Sequence, residues 1–124
     1  MTPKTILLRQ AHPNFVPDGQ LSSQAFFPFP KDNGHLSVYD GDQISAGDAC
    51  QHYVNVLHNQ SCGAWGVTQL EVSGLGLAAK SDALDDFLSH AAIVFADASD
   101  KECRKLAKKL RALAVARGCL HCMS

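Results

Sequence analysis

His90-Ala91-Ala92-Ile93-Val94-Phe95 and, four residues on, Ser99-Asp100-Lys101-Glu102 decide how this chain folds. The first is a continuous apolar run of strand length, which predicts a central strand covered on both faces. The second is a capping-box pattern, a serine three residues ahead of an acid, and it opens a helix. Cys103, Leu106, Ala107, Leu110, Leu113 and Ala114 recur on one face of that helix, and Lys101, Arg104, Lys105, Lys108, Lys109 and Arg111 on the other. Gly118 stands where a left-handed cap ends a helix, and Cys119-Leu120-His121-Cys122 reads as a last short strand.

Working back toward the N-terminus, Lys80 to Asp86 is a polar loop, and Trp65 to Val72 and Leu75 to Ala79 read as two strands about Ser73-Gly74. Ser45-Ala46-Gly47-Asp48 repeats the capping-box pattern and predicts a helix over 46–59, with Ala49, Cys50, Tyr53, Val54, Val56 and Leu57 on its apolar face. All five prolines fall in the first thirty residues, so the first quarter is extended and turn-rich. Thr5 to Arg9 is a strand within it, His12-Pro13 ends that strand, and Pro17-Asp18-Gly19 is a turn. Phe26-Phe27-Pro28-Phe29-Pro30 is an extended segment, and Lys31-Asp32-Asn33-Gly34 is a hairpin turn into a strand at Leu36-Ser37-Val38-Tyr39. The order is neither a regular βαβ alternation nor all-β. It predicts one small α+β domain over 1–124, a mostly antiparallel sheet with two helices packed on one face.

Composition agrees with a single folded unit. The 124 residues are 46% apolar and 19% charged, too apolar for intrinsic disorder. No apolar run approaches the roughly 20 residues of a membrane span, and Ile6-Leu7-Leu8 is too short for a signal-peptide core. A cytoplasmic domain with no membrane association is expected. Five cysteines, an odd number, point to reduced thiols rather than a disulfide framework. The net charge of −1 hides an asymmetry: residues 1–100 carry four basic and eleven acidic side chains, residues 101–124 seven and one.

Several constellations carry no chemistry on this reading. Cys119 and Cys122 form one CxxC pair where a closed zinc site wants two, and on a helix Cys50 and His58 would stand about 12 Å apart. No metal and no cofactor are expected. Cys103 lies in a first helical turn that favours a thiolate, but on the apolar face. Gly74-Leu75-Gly76 lacks the third glycine and following helix of a phosphate loop, and Lys80-Ser81 lacks the rest of that motif.

Polar residues at element ends remain: Arg9, His12, Ser22, Ser23, Ser37 and His90. If the strands adjoin, Arg9, His12, Ser23 and His90 line one pocket with Ser37 at its margin. His12 and His90 are then the catalytic residues, a neutral histidine acting as base or acceptor near pH 7, while Arg9, Ser23 and Ser37 bind the ligand. Guanidinium, imidazole and hydroxyl together suit a phosphate-bearing small molecule or nucleotide, with transferase or hydrolase chemistry. The alternative is a non-enzymatic interaction module, such as an antitoxin, immunity or defence-operon subunit. It would present Lys101, Arg104, Lys105, Lys108, Lys109 and Arg111 to an acidic protein or nucleic acid. Against that, lysine outnumbers arginine, no aromatic is interleaved, and a solvated face offsetting an acidic body explains the same charges.

Arg9-x-x-His12-Pro13, Ser22-Ser23-Gln24-Ala25-Phe26, Leu36-Ser37-Val38-Tyr39 and Ser89-His90-Ala91-Ala92-Ile93, in that order, resemble a family of small uncharacterised bacterial proteins. The resemblance implies a bacterial cytosolic protein and gives weight to those polar positions. It implies no reaction, and Cys119-Leu120-His121-Cys122 stands outside its pattern.

Overall fold

A computed structural model describes residues 1–28 and 34–123. Lys31, Asp32 and Asn33 of the expected hairpin turn, and Phe29 and Pro30 before them, lie outside the described residues. Among the described residues six strands form one sheet: β1 (Ile6–Gln10), β2 (His35–Asp40), β3 (Gly63–Thr68), β4 (Ala78–Ser81), β5 (His90–Val94) and β6 (His121–Cys122). Their order is β4-β5-β2-β1-β3-β6, and every pairing is antiparallel. Three α-helices accompany them: α1 (Ala46–Gln51), α2 (Gln69–Gly74) and α3 (Asp100–Arg117). The fold is the α+β antiparallel domain that the sequence predicts.

α2 and α3 pack on one face, but the helix expected over 46–59 lies on the other. Successive side chains of a strand point to opposite sides of a sheet. In β1 both Leu7 and Leu8 are buried, at 0% and 3% exposed. Leu7 joins Leu36, Val38, Val67 and Ile93 in the main core under α3, the Ser23–Phe26 turn and Val72 of α2. Leu8 and Tyr39 belong to a second, smaller core with Ala49 of α1, into which Tyr53, Phe87 and Leu120 pack. A sheet apolar on both sides needs a cover on each, so α1 sits opposite α3 rather than beside it.

Three local readings also change. Trp65 to Val72 is not one strand: β3 stops at Thr68, whose Oγ1 accepts from the Glu71 N–H at 3.1 Å while Glu71 Oε1 accepts from the Thr68 N–H at 2.8 Å. This reciprocal capping box starts α2, and the following strand begins only at Ala78. The helix expected over 46–59 ends at Gln51 and passes into a π-helical turn, His52–Val56. Ser22 and Ser23 do not extend beside β1. The Ser22 hydroxyl accepts from the Gln24 N–H and caps a 3-10 turn, Ser23–Phe26.

β1 and β3 pair along five positions, whereas β1 and β2 pair at Leu7↔Asp40 and Leu8↔Tyr39. At the next position a side chain takes over. Arg9 donates Nη1 to the Ser37 carbonyl at 2.8 Å and Nε to the Ala25 carbonyl at 2.7 Å.

Glu71 links α2 to α3, accepting from Arg117 Nη1 at 2.9 Å. Burial alone would raise its carboxyl pKa. The Arg117 hydrogen bond and charge and the Thr68 N–H outweigh it and hold the carboxyl below its ordinary range. A depressed folded-state pKa adds stability above the unfolded value and loses it as pH falls through the folded one. Glu71→Gln is therefore expected to cost about 1 kcal/mol at neutral pH. In urea titrations the gap between the two proteins should close as pH drops through and below the carboxylate range.

Candidate functional site

The turn from β4 to β5 builds one wall of a cleft. The Asp82 N–H donates to the His90 carbonyl at 2.9 Å, and a tight bridge between Leu84 and Phe87 reverses the chain. Phe87 then stacks near His52, His90 and Tyr39, with ring centroids 4.5, 4.9 and 5.1 Å away. His90 Nδ1 lies 3.1 Å from the Asp82 carbonyl oxygen and 3.2 Å from Asp82 Oδ2. Both neighbours are acceptors, so Nδ1 carries a proton and Nε2 is left as the basic nitrogen. Nε2 stands 3.4 Å from Ser37 Oγ. The β2–β5 register explains this: Tyr39 pairs with His90 and Ser37 with Ala92, which makes Ser37 the diagonal same-face neighbour of His90.

The cleft has a volume of about 220 Å³ and opens where the β1–β2 ladder gives way to Arg9. Leu8, Tyr53, Leu57 and Phe87 provide apolar wall, and Arg9, Gln10, Ser37, Asn59 and His90 provide polar groups. Tyr39 lies at its base. Burial, with Tyr53 and Cys50 nearby, pushes the Tyr39 phenol above its ordinary value, so it stays protonated, and its oxygen is hydrogen-bonded with His52 Nδ1 at 2.8 Å. Gln10 is 4% exposed. Ser61 Oγ accepts the Gly63 N–H and passes its own hydrogen to Gln10 Oε1 at 2.7 Å, and the Cys50 thiol donates to the same oxygen at 3.3 Å. In this orientation of the amide Nε2 lies on the other side, and among the described residues that nitrogen has no hydrogen-bond partner.

Of the residues expected to form one pocket, Arg9, Ser37 and His90 meet here. His12 and Ser23 do not. Pro13 turns the chain into a 3-10 turn, Pro13–Phe15, and His12 Nδ1 caps it by accepting from the Asn14 N–H at 3.0 Å. His12 and His90 thus do not line one pocket. Ser23 lines a different groove, between the Ser23–Phe26 turn and α3, with Phe15, Gln24, Phe27, Arg104, Ala107 and Lys108. Gln10 and Asp82 were not singled out in the sequence. A glutamine closing an otherwise apolar strand is a readable signal for the first. Asp82 has none, because its place beside His90 depends on strand pairing.

On the basic face of α3, Lys101, Arg104, Lys105, Lys108 and Lys109 are exposed, while Arg111 is partly buried and donates Nε to the Leu21 carbonyl at 2.9 Å. Among the described residues no three His, Cys, Asp or Glu side chains gather as a metal-holding group, and no helix is long and apolar enough to cross a membrane. Set against protein-family models, curated proteins and solved structures, the chain matches none of them.

The thiols differ sharply in environment. Burial raises Cys50 and, with Asp100 and Glu102 beside it, Cys103, which cancels the pull of the α3 N-terminus toward a thiolate. Burial and the neighbouring Cys122 thiol push Cys119 up to about 12. Cys122 is exposed. Timed iodoacetamide labelling at neutral pH, read by peptide mass spectrometry, should modify Cys122 well before Cys50, Cys103 and Cys119, and denaturant should erase the order.

Proposed function

We propose that the protein binds a small polar molecule in the cleft between β1 and β2, through Gln10, Ser37 and His90. The unpartnered Gln10 amide carries this reading. A buried donor without an acceptor costs about 1–3 kcal/mol, which a ligand oxygen recovers once the amide turns into the cleft. Leu8, Leu57 and Phe87 would take the apolar part of the ligand, and the small volume suits a molecule of few atoms. Arg9 is the one permanent cation among the described lining residues, and its Nε and Nη1 already serve two carbonyls. That balance favours a carbonyl-bearing head over the phosphate-bearing ligand expected from sequence. The bacterial, cytoplasmic setting is kept as part of the proposal, supported by the sequence resemblance.

A thermal-shift panel of short-chain esters, carboxylates, nucleotides and sugar phosphates tests the reading. A ligand at 100 times its Kd adds about 2.7 kcal/mol. Ser37→Ala and His90→Ala should remove the shift, and Ser37→Ala, at an exposed position, should change unliganded stability by less than about 0.5 kcal/mol. Silence across the panel, or a shift that survives both substitutions, would overturn it.

A second reading, an interaction module, rests on the exposed cations of α3. On that reading binding to a short duplex or an acidic peptide weakens steeply with added salt. Lys105→Gln with Lys108→Gln should then weaken binding while altering stability by less than about 0.5 kcal/mol.

A further inference from the structure

We propose that the same cleft is an acyl-transfer site acting on a small ester, with Ser37 as nucleophile, His90 as general base and Asp82 as the residue that orients His90. The proposal rests on the binding reading above and adds a reaction to it. Its basis is the direction of the hydrogen bonds. Asp82 presents two acceptors to His90 Nδ1, which leaves Nε2 aimed at Ser37 Oγ as an acceptor for its proton. Carboxylate, imidazole and hydroxyl in that sequence is the arrangement that activates a serine. The 3.4 Å separation is loose, as such contacts are before substrate closes them. Ser37 is exposed at the cleft margin and so can be reached by a substrate carbonyl.

The second requirement is a donor for the oxygen that becomes negative. Side chains alternate along a strand, so Gln10 shares the face of Leu8 and Ser37 that of Tyr39, which puts both on one face of the sheet at the parting of β1 and β2. Gln10 lines the same cleft as Ser37, and its buried Nε2, which lacks an acceptor among the described residues, becomes the donor when the amide turns toward the bound ester. An uncommitted amide donor in a dry wall is the kind of group that holds an oxyanion.

The reaction balances as follows. Ser37 Oγ attacks the ester carbon while its proton moves to His90 Nε2, and the carbonyl oxygen takes the negative charge against Gln10. Collapse breaks the bond to the alcohol oxygen, which leaves with the proton from His90, and Ser37 carries the acyl group. Water then attacks the acyl-serine, giving a proton to His90. The Oγ–carbon bond breaks, Ser37 regains the proton, and a carboxylic acid departs. Ester and water become alcohol and acid, with no other reactant.

The probe is p-nitrophenyl acetate, used with Cys122→Ser protein so that the exposed thiol does not compete. Release of p-nitrophenolate should begin with a burst equal to the protein present, and peptide mass spectrometry should place an acetyl group on Ser37. Ser37→Ala should abolish the burst. His90→Ala should slow acetylation about 10²–10⁴-fold, and Gln10→Ala about 10²–10³-fold. Asp82→Asn leaves its backbone carbonyl on Nδ1, so it should slow acetylation less than His90→Ala. As a positioning residue it should lower the acetylation rate at saturating ester without raising the half-saturating ester concentration or changing the melting temperature. Acetyl groups found only on other side chains, or an unchanged rate in Ser37→Ala, would overturn the acyl-transfer proposal. If thermal shifts still depend on Ser37 and His90 in that event, the binding reading stands alone. If they do not, both fall.

Discussion

Along β2 the backbone changes partners between Tyr39 and Ser37. At Tyr39 a neighbouring strand supplies the contact, and at Ser37 the guanidinium of Arg9 does. A strand carbonyl that loses its ladder must find another donor or be solvated. Arg9 meets that need while also binding Ala25 on the other side of the sheet. The side chain thus permits two neighbouring strands to part without leaving an unsatisfied edge. The cleft, the approach to Ser37 and the burial of Gln10 all depend on this parting. Arginine suits the task because its planar fork serves several acceptors at once, which a lysine ammonium cannot match in geometry.

The same use of arginine recurs. Arg111 binds the Leu21 carbonyl, and Arg117 binds the Gly66 carbonyl together with Glu71. Both belong to α3, so this helix is fastened to irregular backbone on one side and to β3 on the other. The charge contrast between the two parts of the chain therefore has two components. Arginines at the helix margins hold carbonyls, and lysines on the outer face meet solvent. A count of positive charge by residue number merges these roles.

Much of the fold was legible in the sequence because its signals are local. The Ser99 cap and the apolar spacing from Cys103 to Ala114 mark α3 within one residue of its start, and the run from His90 marks β5. The failures are also physical. Thr68-Gln69-Leu70-Glu71 is a capping box, but it follows Val67 and precedes Val72, and the β-branched residues read as strand. Leu7-Leu8 could not say which helix covers which leucine. His12 looks chemically available in the sequence, yet Pro13 commits it to a turn. Arg9, Ser37 and His90 were legible as polar residues at strand ends, whereas the Asp82–His90 contact arises from β4–β5 register between residues eight apart. No periodicity encodes that.

The π-helical turn His52–Val56 has a consequence for how this cleft can diverge. Such a turn holds one residue more than an α-helical turn of the same span. It supplies His52 to Tyr39, and the segment puts Tyr53 and Leu57 on the cleft wall. Removing a single residue there would rotate the rest of this helical segment by about 100° about its axis. The sheet and the main core would be untouched, since α1 packs on the smaller one. The wall of the cleft can thus be re-cut by one codon gained or lost, separately from the residues that hold the domain together. Selectivity and foldability are inherited here as nearly independent traits.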